Sequence, residues 1–148
     1  MIPVLDEVGN LPSLFDSFRI LQGQLGSRYD LSFILVDDGS RDGTGQAAVD
    51  LAGSLDLTVL THPENRGPGS AFSTAFEHLS SRLTDHDWVA TMEGDNTSRH
   101  ELLSQMLTRA QEGYEVVLAS PYMYGGGITN VATHRVMLSH LANGFARS

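Results

Sequence analysis

Two pairs of carboxylates stand where a chain of this kind could do chemistry. Asp37 and Asp38 end the apolar run Phe33-Ile34-Leu35-Val36 and lead into a turn carrying Gly39 and Gly43. A buried parallel strand that stops this way delivers its acids to the carboxyl rim of a sheet, where open α/β folds bind ligands. Packing accounts for the strand; service as turn and cap residues is the alternative for the acids. Glu93 and Asp95 form the second pair, in Thr91-Met92-Glu93-Gly94-Asp95. Residues two apart on an extended segment project to the same side. Two such anions about 5 Å apart repel by roughly 3 kcal/mol at an effective dielectric near 20. Solvent, a proton or a cation must relieve that, and a hard divalent ion does so best, taking one or two carboxylates with phosphate oxygens and waters. The alternative is a solvated strand end with Asp95 and Asn96 as turn formers.

The elements that must position these groups follow from periodicity. Residues 2–5 read as a strand end. Leu11, Leu14, Phe15, Phe18, Leu21 and Leu25 recur near every 3.6 residues, which predicts a helix, with Asn10 as N-cap and Pro12 tolerated in the first turn. Residues 31–36 form a second strand, and Ala47, Ala48, Leu51, Ala52 and Leu55 mark the inner face of a second helix. A third strand at 57–61 precedes Asn65 to Ala71, a turn into a helix carrying Ala71, Phe72, Ala75, Phe76 and Leu79. Free N–H groups at that helix start could meet phosphate or sugar oxygens, or Gly67 and Gly69 simply permit the turn. Trp88 to Met92 reads as a fourth strand and Tyr114 to Ala119 as a fifth. Between them, Ser98 and Glu101 form a capping box for a helix with Leu102, Leu103, Met106, Leu107 and Ala110 inward. Residues 131–146 read as a last helix. Alternating β and α units imply a mainly parallel sheet with helices on both faces.

Composition narrows the function. A chain of 148 residues, 41% hydrophobic and 18% charged, is globular and of one-domain length. Its net charge of −9 argues against nucleic acid, whose phosphates call for clustered Lys and Arg. Nucleotides stay open, because a divalent cation can bridge carboxylates to phosphates. The chain has no cysteine, so disulfides and thiolate metal sites are excluded. Its six histidines lack ligand spacing, which argues against zinc. No Gly-x-Ser-x-Gly elbow, Walker-type loop or Gly-x-Gly-x-x-Gly fingerprint occurs. No apolar stretch is long enough to span a membrane, and no basic segment followed by an apolar run marks a secretory signal. The expectation is a cytoplasmic protein, soluble or peripheral at the cytoplasmic face of the membrane.

The segment Val36-Asp37-Asp38-Gly39-Ser40-Arg41-Asp42-Gly43-Thr44 resembles the Val-Asp-Asp-Gly-Ser-x-Asp-Gly-Thr run of family 2 glycosyltransferases, in the dolichol-phosphate mannosyltransferase-like branch. Ile2 to Glu7 is similar to that family's Ile-Pro-x-Tyr-Asn-Glu opening, and Asn10 to Pro12 to its Asn-Leu-Pro. Asn65 to Ala71 resembles its Asn-x-Gly-x-Gly-x-Ala loop, and Glu93-Gly94-Asp95 stands where it carries Asp-x-Asp. Tyr122, Gly125 to Gly127, Arg135, Ser139 and Asn143 follow its next segment. Ordered motifs at compatible spacings over nearly the whole chain carry more weight than any one of them.

The resemblance implies a GT-A-type α/β domain spanning 1–148 and truncated at both ends, since the family's first strand begins earlier and its domain continues further. It implies transfer of a sugar, with inversion, from a UDP- or GDP-linked donor to an acceptor such as a polyprenyl phosphate or glycan. Glu93 and Asp95 would hold Mg²⁺ or Mn²⁺ and serve catalysis. Pro3, Leu5, Glu7, Val36, Asp38, Gly94 and Arg135 would contact the nucleotide, with Asp38 at the base or ribose and Asp37 bracing the turn. The departures are Glu93 for Asp, Leu5 for Tyr, Asp6 for Asn, Pro68 for a basic residue, and Pro121 where Arg often precedes Tyr122. They leave Arg66 and Arg135 as the basic residues for phosphate. They also keep open a nucleotide-sugar-binding module without turnover. A sugar-phosphate nucleotidyltransferase, which shares the alternating architecture, would need a basic glycine-rich loop that residues 6–12 lack.

Overall fold

A computed structural model describes residues 1–95 and 101–120 of the chain. Its elements are β1 (Ile2–Val4), α1 (Leu11–Leu25), β2 (Phe33–Asp37), α2 (Thr44–Leu51), β3 (Leu57–Thr61), α3 (Pro68–Ser80) and α4 (Glu101–Gln111). The strands form one parallel sheet in the order β1-β2-β3, with Ile2 beside Leu35 and Asp37 beside Thr61. This is the α/β architecture of alternating units, and it fits a GT-A domain. The chain divides into two compact units, Met1–Gln105 and Met106–Ser148.

In the first unit the side-chain alternation of β2 builds two cores, one on each face of the sheet. Phe33 and Leu35 join Ile2, Val4, Leu11, Leu14, Phe15, Phe18 and Ala48 under α1 and α2. Ile34 and Val36 join Ala71 and Ala75 under α3. All five residues of β2 are buried, as a central parallel strand requires. Every apolar residue of the α1 stripe is buried, and Phe18 stacks on Phe33 with ring centroids 4.5 Å apart. α3 sits close to the sheet because its contact residues are alanines, while Phe76, expected inward, is half exposed.

Two predicted strands are not strands. Residues 88–92 run along β1, with the Met1 amino group donating to the Ala90 carbonyl (2.6 Å) and the Met92 N–H to the Met1 carbonyl (3.1 Å). That is one parallel bridge. β1 is three residues long, and the backbone hydrogen bonds to this segment come from Met1, just ahead of it, so no ladder develops. Burial of the Met1 amino group lowers its pKa to about 6. In the second unit, residues 114–119 have no strand assignment, and Tyr114, Val116 and Leu118 are exposed. Alternating apolar residues make a strand possible, but no strand pairs with this segment among the described residues. The Ser98 half of the capping box and the predicted helix at 131–146 lie outside the described residues. Among the described residues no helix is long and apolar enough to cross a membrane.

Candidate functional site

The carboxyl ends of β1, β2 and β3 and the chain after Met92 release their loops along one rim of the sheet, all within the first unit. The β1 and β2 loops are latched together. Asp6 has a φ of +54°, a left-handed conformation that Asp and Asn tolerate better than other non-glycine residues. From there its N–H donates to Ser40 Oγ (2.9 Å), and its Oδ1 accepts the Arg41 N–H (2.7 Å). The Glu7 N–H donates to Thr44 Oγ1 (2.9 Å) and the Val8 N–H to Asp42 Oδ2 (3.0 Å). Asp42 also accepts the Thr44 hydroxyl and N–H, and the hydroxyl above all holds its carboxyl below the usual range. Glu7 is half-buried and accepts from Asn10 Nδ2. Asn10 occupies the N-cap position of α1, but its side chain makes no capping bond there, because it has turned back to Glu7.

Asp37 and Asp38 point their charges to different tasks. Asp37 Oδ1 accepts the Ser40 N–H (2.9 Å), bracing the turn, and Oδ2 lies so near Gly45 that a β-carbon there would meet it at 2.5 Å. Asp38 is only 4% exposed. Its Oδ1 accepts from His62 Nδ1 (2.6 Å) and the Arg66 N–H (3.0 Å), and its Oδ2 accepts the Gly67 N–H (2.7 Å). Burial works to raise the Asp38 pKa, but the His62 bond, the two backbone N–H groups and the His62 charge outweigh it and lower the value. The loop after β3 is thus pinned to the end of β2. Gly39, with φ of +79°, lets the backbone at Glu64 and Asn65 cross directly over it.

Glu93 and Asp95 are exposed, flanking a buried Gly94. A β-carbon on Gly94 would stand 2.6 Å from Val4 Cγ1 and 2.7 Å from the Pro3 carbonyl oxygen. Only glycine therefore allows this segment to rest on the end of β1. Gly94 and Asp95 already begin a turn, so the extended-chain argument for their side-by-side projection does not apply. Among the described residues no three acidic or histidine side chains gather into a closed metal cage. Two exposed carboxylates suit the other mode of Mg²⁺ or Mn²⁺ binding, in which the ion keeps waters and is shared with phosphate oxygens.

Of the remaining predicted residues, Pro3 is half-buried beside Val36 in the sheet register, and Leu5 lies exposed at the rim. The Val36 side chain is 1% exposed and belongs to the core under α3. Arg66 is exposed, and its backbone, not its guanidinium, holds Asp38. Arg135, Pro121 and Tyr122 lie outside the described residues. A cavity of about 500 Å³, lined by Met1, Ile34, Leu79, Leu83, Trp88 and others, opens at the amino ends of the strands, opposite the rim that carries Asp37 and Asp38. His62 was absent from the sequence-based site. The signal for it lies in the register, since Asp37 pairs with Thr61 and the next residues are Asp38 and His62.

Comparison with known proteins gives a consistent picture. The family model for Glycosyl transferase family 2 matches residues 1–147. A polyprenol monophosphomannose synthase of Mycolicibacterium smegmatis is 30% identical over 149 aligned residues, 99% of this chain and 53% of that protein. An undecaprenyl-phosphate 4-deoxy-4-formamido-L-arabinose transferase of Serratia proteamaculans is 34% identical over 120 residues, 79% of this chain and 34% of that protein. The corresponding transferase of Klebsiella pneumoniae is 31% identical over the same length. The chain spans about half the length of the first of these relatives and about a third of the others.

Proposed function

Because this chain belongs to glycosyl transferase family 2, we propose that it provides the donor-binding part of an enzyme that moves a sugar from a nucleoside diphosphate to a polyprenyl phosphate. The observation that carries this reading is the seating of Gly94 on the Pro3 carbonyl. It brings the acidic pair to the same strand end that presents Leu5 and Glu7. A nucleoside lying along the rim would have the Pro3–Glu7 loop and Asp38 on its base and ribose side. Its diphosphate would run toward Glu93 and Asp95.

On this reading UDP and GDP are the donor classes, and the reaction inverts the anomeric centre. Glu93 and Asp95 would hold Mg²⁺ or Mn²⁺, which when bound neutralises the departing diphosphate. The chain's own residues bind and orient. Asp38 offers one remaining acceptor position on Oδ2 to a ring N–H or a sugar hydroxyl. Arg66, on the neighbouring loop, supplies positive charge for phosphate. A polyprenyl phosphate is already an anion and needs little help from a general base; a glycan hydroxyl would need one. The acceptor class draws support from the names of the polyprenol and undecaprenyl-phosphate enzymes it is similar to. Such an acceptor would bring the reaction to a membrane surface.

The experiment is calorimetric titration of the purified chain with UDP, GDP and their sugars, with and without Mn²⁺. The expected result is metal-dependent binding of one base class, lost in Asp95→Ala. Absence of binding by a folded chain refutes the pocket. A second reading, binding without turnover, is favoured by the protein donors that already take three of the acceptor positions of Asp38. Transfer of labelled sugar to a short-chain polyprenyl phosphate decides between the two.

A further inference from the structure

We infer that His62 is a positioning residue of the donor pocket, fixing the Asp38 carboxylate and, through it, the Asn65–Gly67 turn. The inference rests on the reading of Asp38 as a nucleotide contact. His62 is 5% exposed, and every polar atom of its ring is engaged. Nδ1 meets Asp38 Oδ1 at 2.6 Å and Nε2 meets Thr74 Oγ1 at 2.8 Å, while the backbone N–H donates to the Asp37 carbonyl (2.8 Å). One residue thereby ties together the end of β2, the end of β3 and the middle of α3.

The chemistry fixes the tautomer. An ionised carboxylate only accepts, so the proton lies on Nδ1. Nε2 then accepts from the Thr74 hydroxyl while the ring is neutral, and donates to it when the ring is charged; the hydroxyl can rotate to serve either state. The ring's orientation therefore survives a change of charge.

The consequence falls on Asp38. A carboxylate attached through an sp³–sp² torsion has a broad, two-fold preference and does not orient itself. His62 and the Arg66 N–H fill both acceptor positions of Oδ1, and the Gly67 N–H takes one of Oδ2. The single position left for a ligand is defined only while His62 holds the other oxygen. Without that donor the carboxylate can turn, and the N–H groups of Arg66 and Gly67 lose the anchor that keeps their turn on the rim.

Two substitutions separate position from mere packing. Asn places an amide N–H₂ where Nδ1 stood; Gln places it where Nε2 stood. In the full chain with Mn²⁺, His62→Gln is expected to bind whichever of UDP or GDP the wild type binds about tenfold more weakly, the scale of one charge-assisted hydrogen bond. His62→Asn should stay within about threefold of the wild type, because it keeps a donor to Asp38. A purely structural residue would instead give affinities that follow the melting temperatures of the two variants. Equal affinities for Asn and Gln, or losses proportional to destabilisation, overturn the inference while leaving the pocket intact. Failure of the wild type to bind either nucleotide overturns the pocket reading and this role with it. Should His62→Gln not fold, the wild-type His62 Nδ1–H resonance carries the test. A shift on saturation with the bound nucleotide supports the inference, and an unmoved resonance refutes it.

Discussion

Gly39→Ala and Gly43→Ala form a pair that tests how the rim is built. Both glycines have left-handed backbones, with φ of +79° and +89°. An alanine at either position pays about 1–2 kcal/mol for that conformation. At Gly43 there is no further cost, since no atom lies within 4 Å of the added carbon. At Gly39 the new carbon would stand 2.6 Å from both Glu64 Cα and the Asn65 nitrogen, and closest of all to the Glu64 carbonyl carbon. These are backbone atoms that cannot swing aside, so overpacking adds about 1–3 kcal/mol. The totals are about 2–5 kcal/mol for Gly39→Ala against about 1–2 for Gly43→Ala. Urea unfolding followed by circular dichroism reads the difference directly. With a slope of about 1–3 kcal/mol per molar, a gap of about 2 kcal/mol displaces one midpoint from the other by roughly 1 M. On the proposed donor reading, Gly39→Ala also weakens nucleotide binding beyond its loss of stability, because the displaced backbone at Glu64 and Asn65 leads directly into the Arg66 and Gly67 N–H groups that hold Asp38. Equal midpoints for the two variants would refute the claim that the loop after β3 rests on Gly39.

Three other outcomes follow from the same geometry. Phe18→Ala removes a fully buried ring stacked on Phe33 and should cost about 3–5 kcal/mol, measured by the same urea titration. Gly69→Ala lies in the first turn of α3 with open space around it and no positive φ; it should raise the urea midpoint, stabilising by about 0.4–1 kcal/mol. The folded-state pKa of Asp38 lies below its ordinary value of 3.8. Its contribution is therefore complete above that value and is lost as pH falls from about 4 through the lower folded value. Stability measured from about pH 5 to pH 2 should fall less steeply in Asp38→Asn than in the wild type.

Much of the fold was legible because burial imposes periods on a chain. The six apolar residues of α1 fell on one face, and all six are buried. β2 read as a continuous apolar run because both its faces are covered. The misreadings share one cause. Residues 88–92 and 114–119 have the composition of strands, but a strand is a relation between two segments, and its partner is not written in its own residues. The first of them is met by Met1, just ahead of β1, and by no residue of β1 itself among the hydrogen bonds to it. Phe76 failed for a related reason. Its position on the helical stripe was right, yet Ala71 and Ala75 bring α3 so close to the sheet that the adjacent ring is left at the edge.

The site divides the same way. That Asp37 and Asp38 would stand at a strand end could be read from the order of residues, and the family resemblance implied the turn bracing by Asp37. What closes over Asp38 could not, because its partner is 24 residues away on another element. A search for histidines spaced as metal ligands on one helix passes over His62. A search along the sheet register finds it, since in a parallel sheet the residues that follow paired strand ends are neighbours. A carboxylate only 4% exposed cannot stay ionised without donors, so an acid placed at a sheet rim implies a donor on the adjoining strand end unless solvent or a ligand supplies it. Applied to this chain, that rule turns His62 from one of six scattered histidines into the residue that decides where the Asp38 charge points.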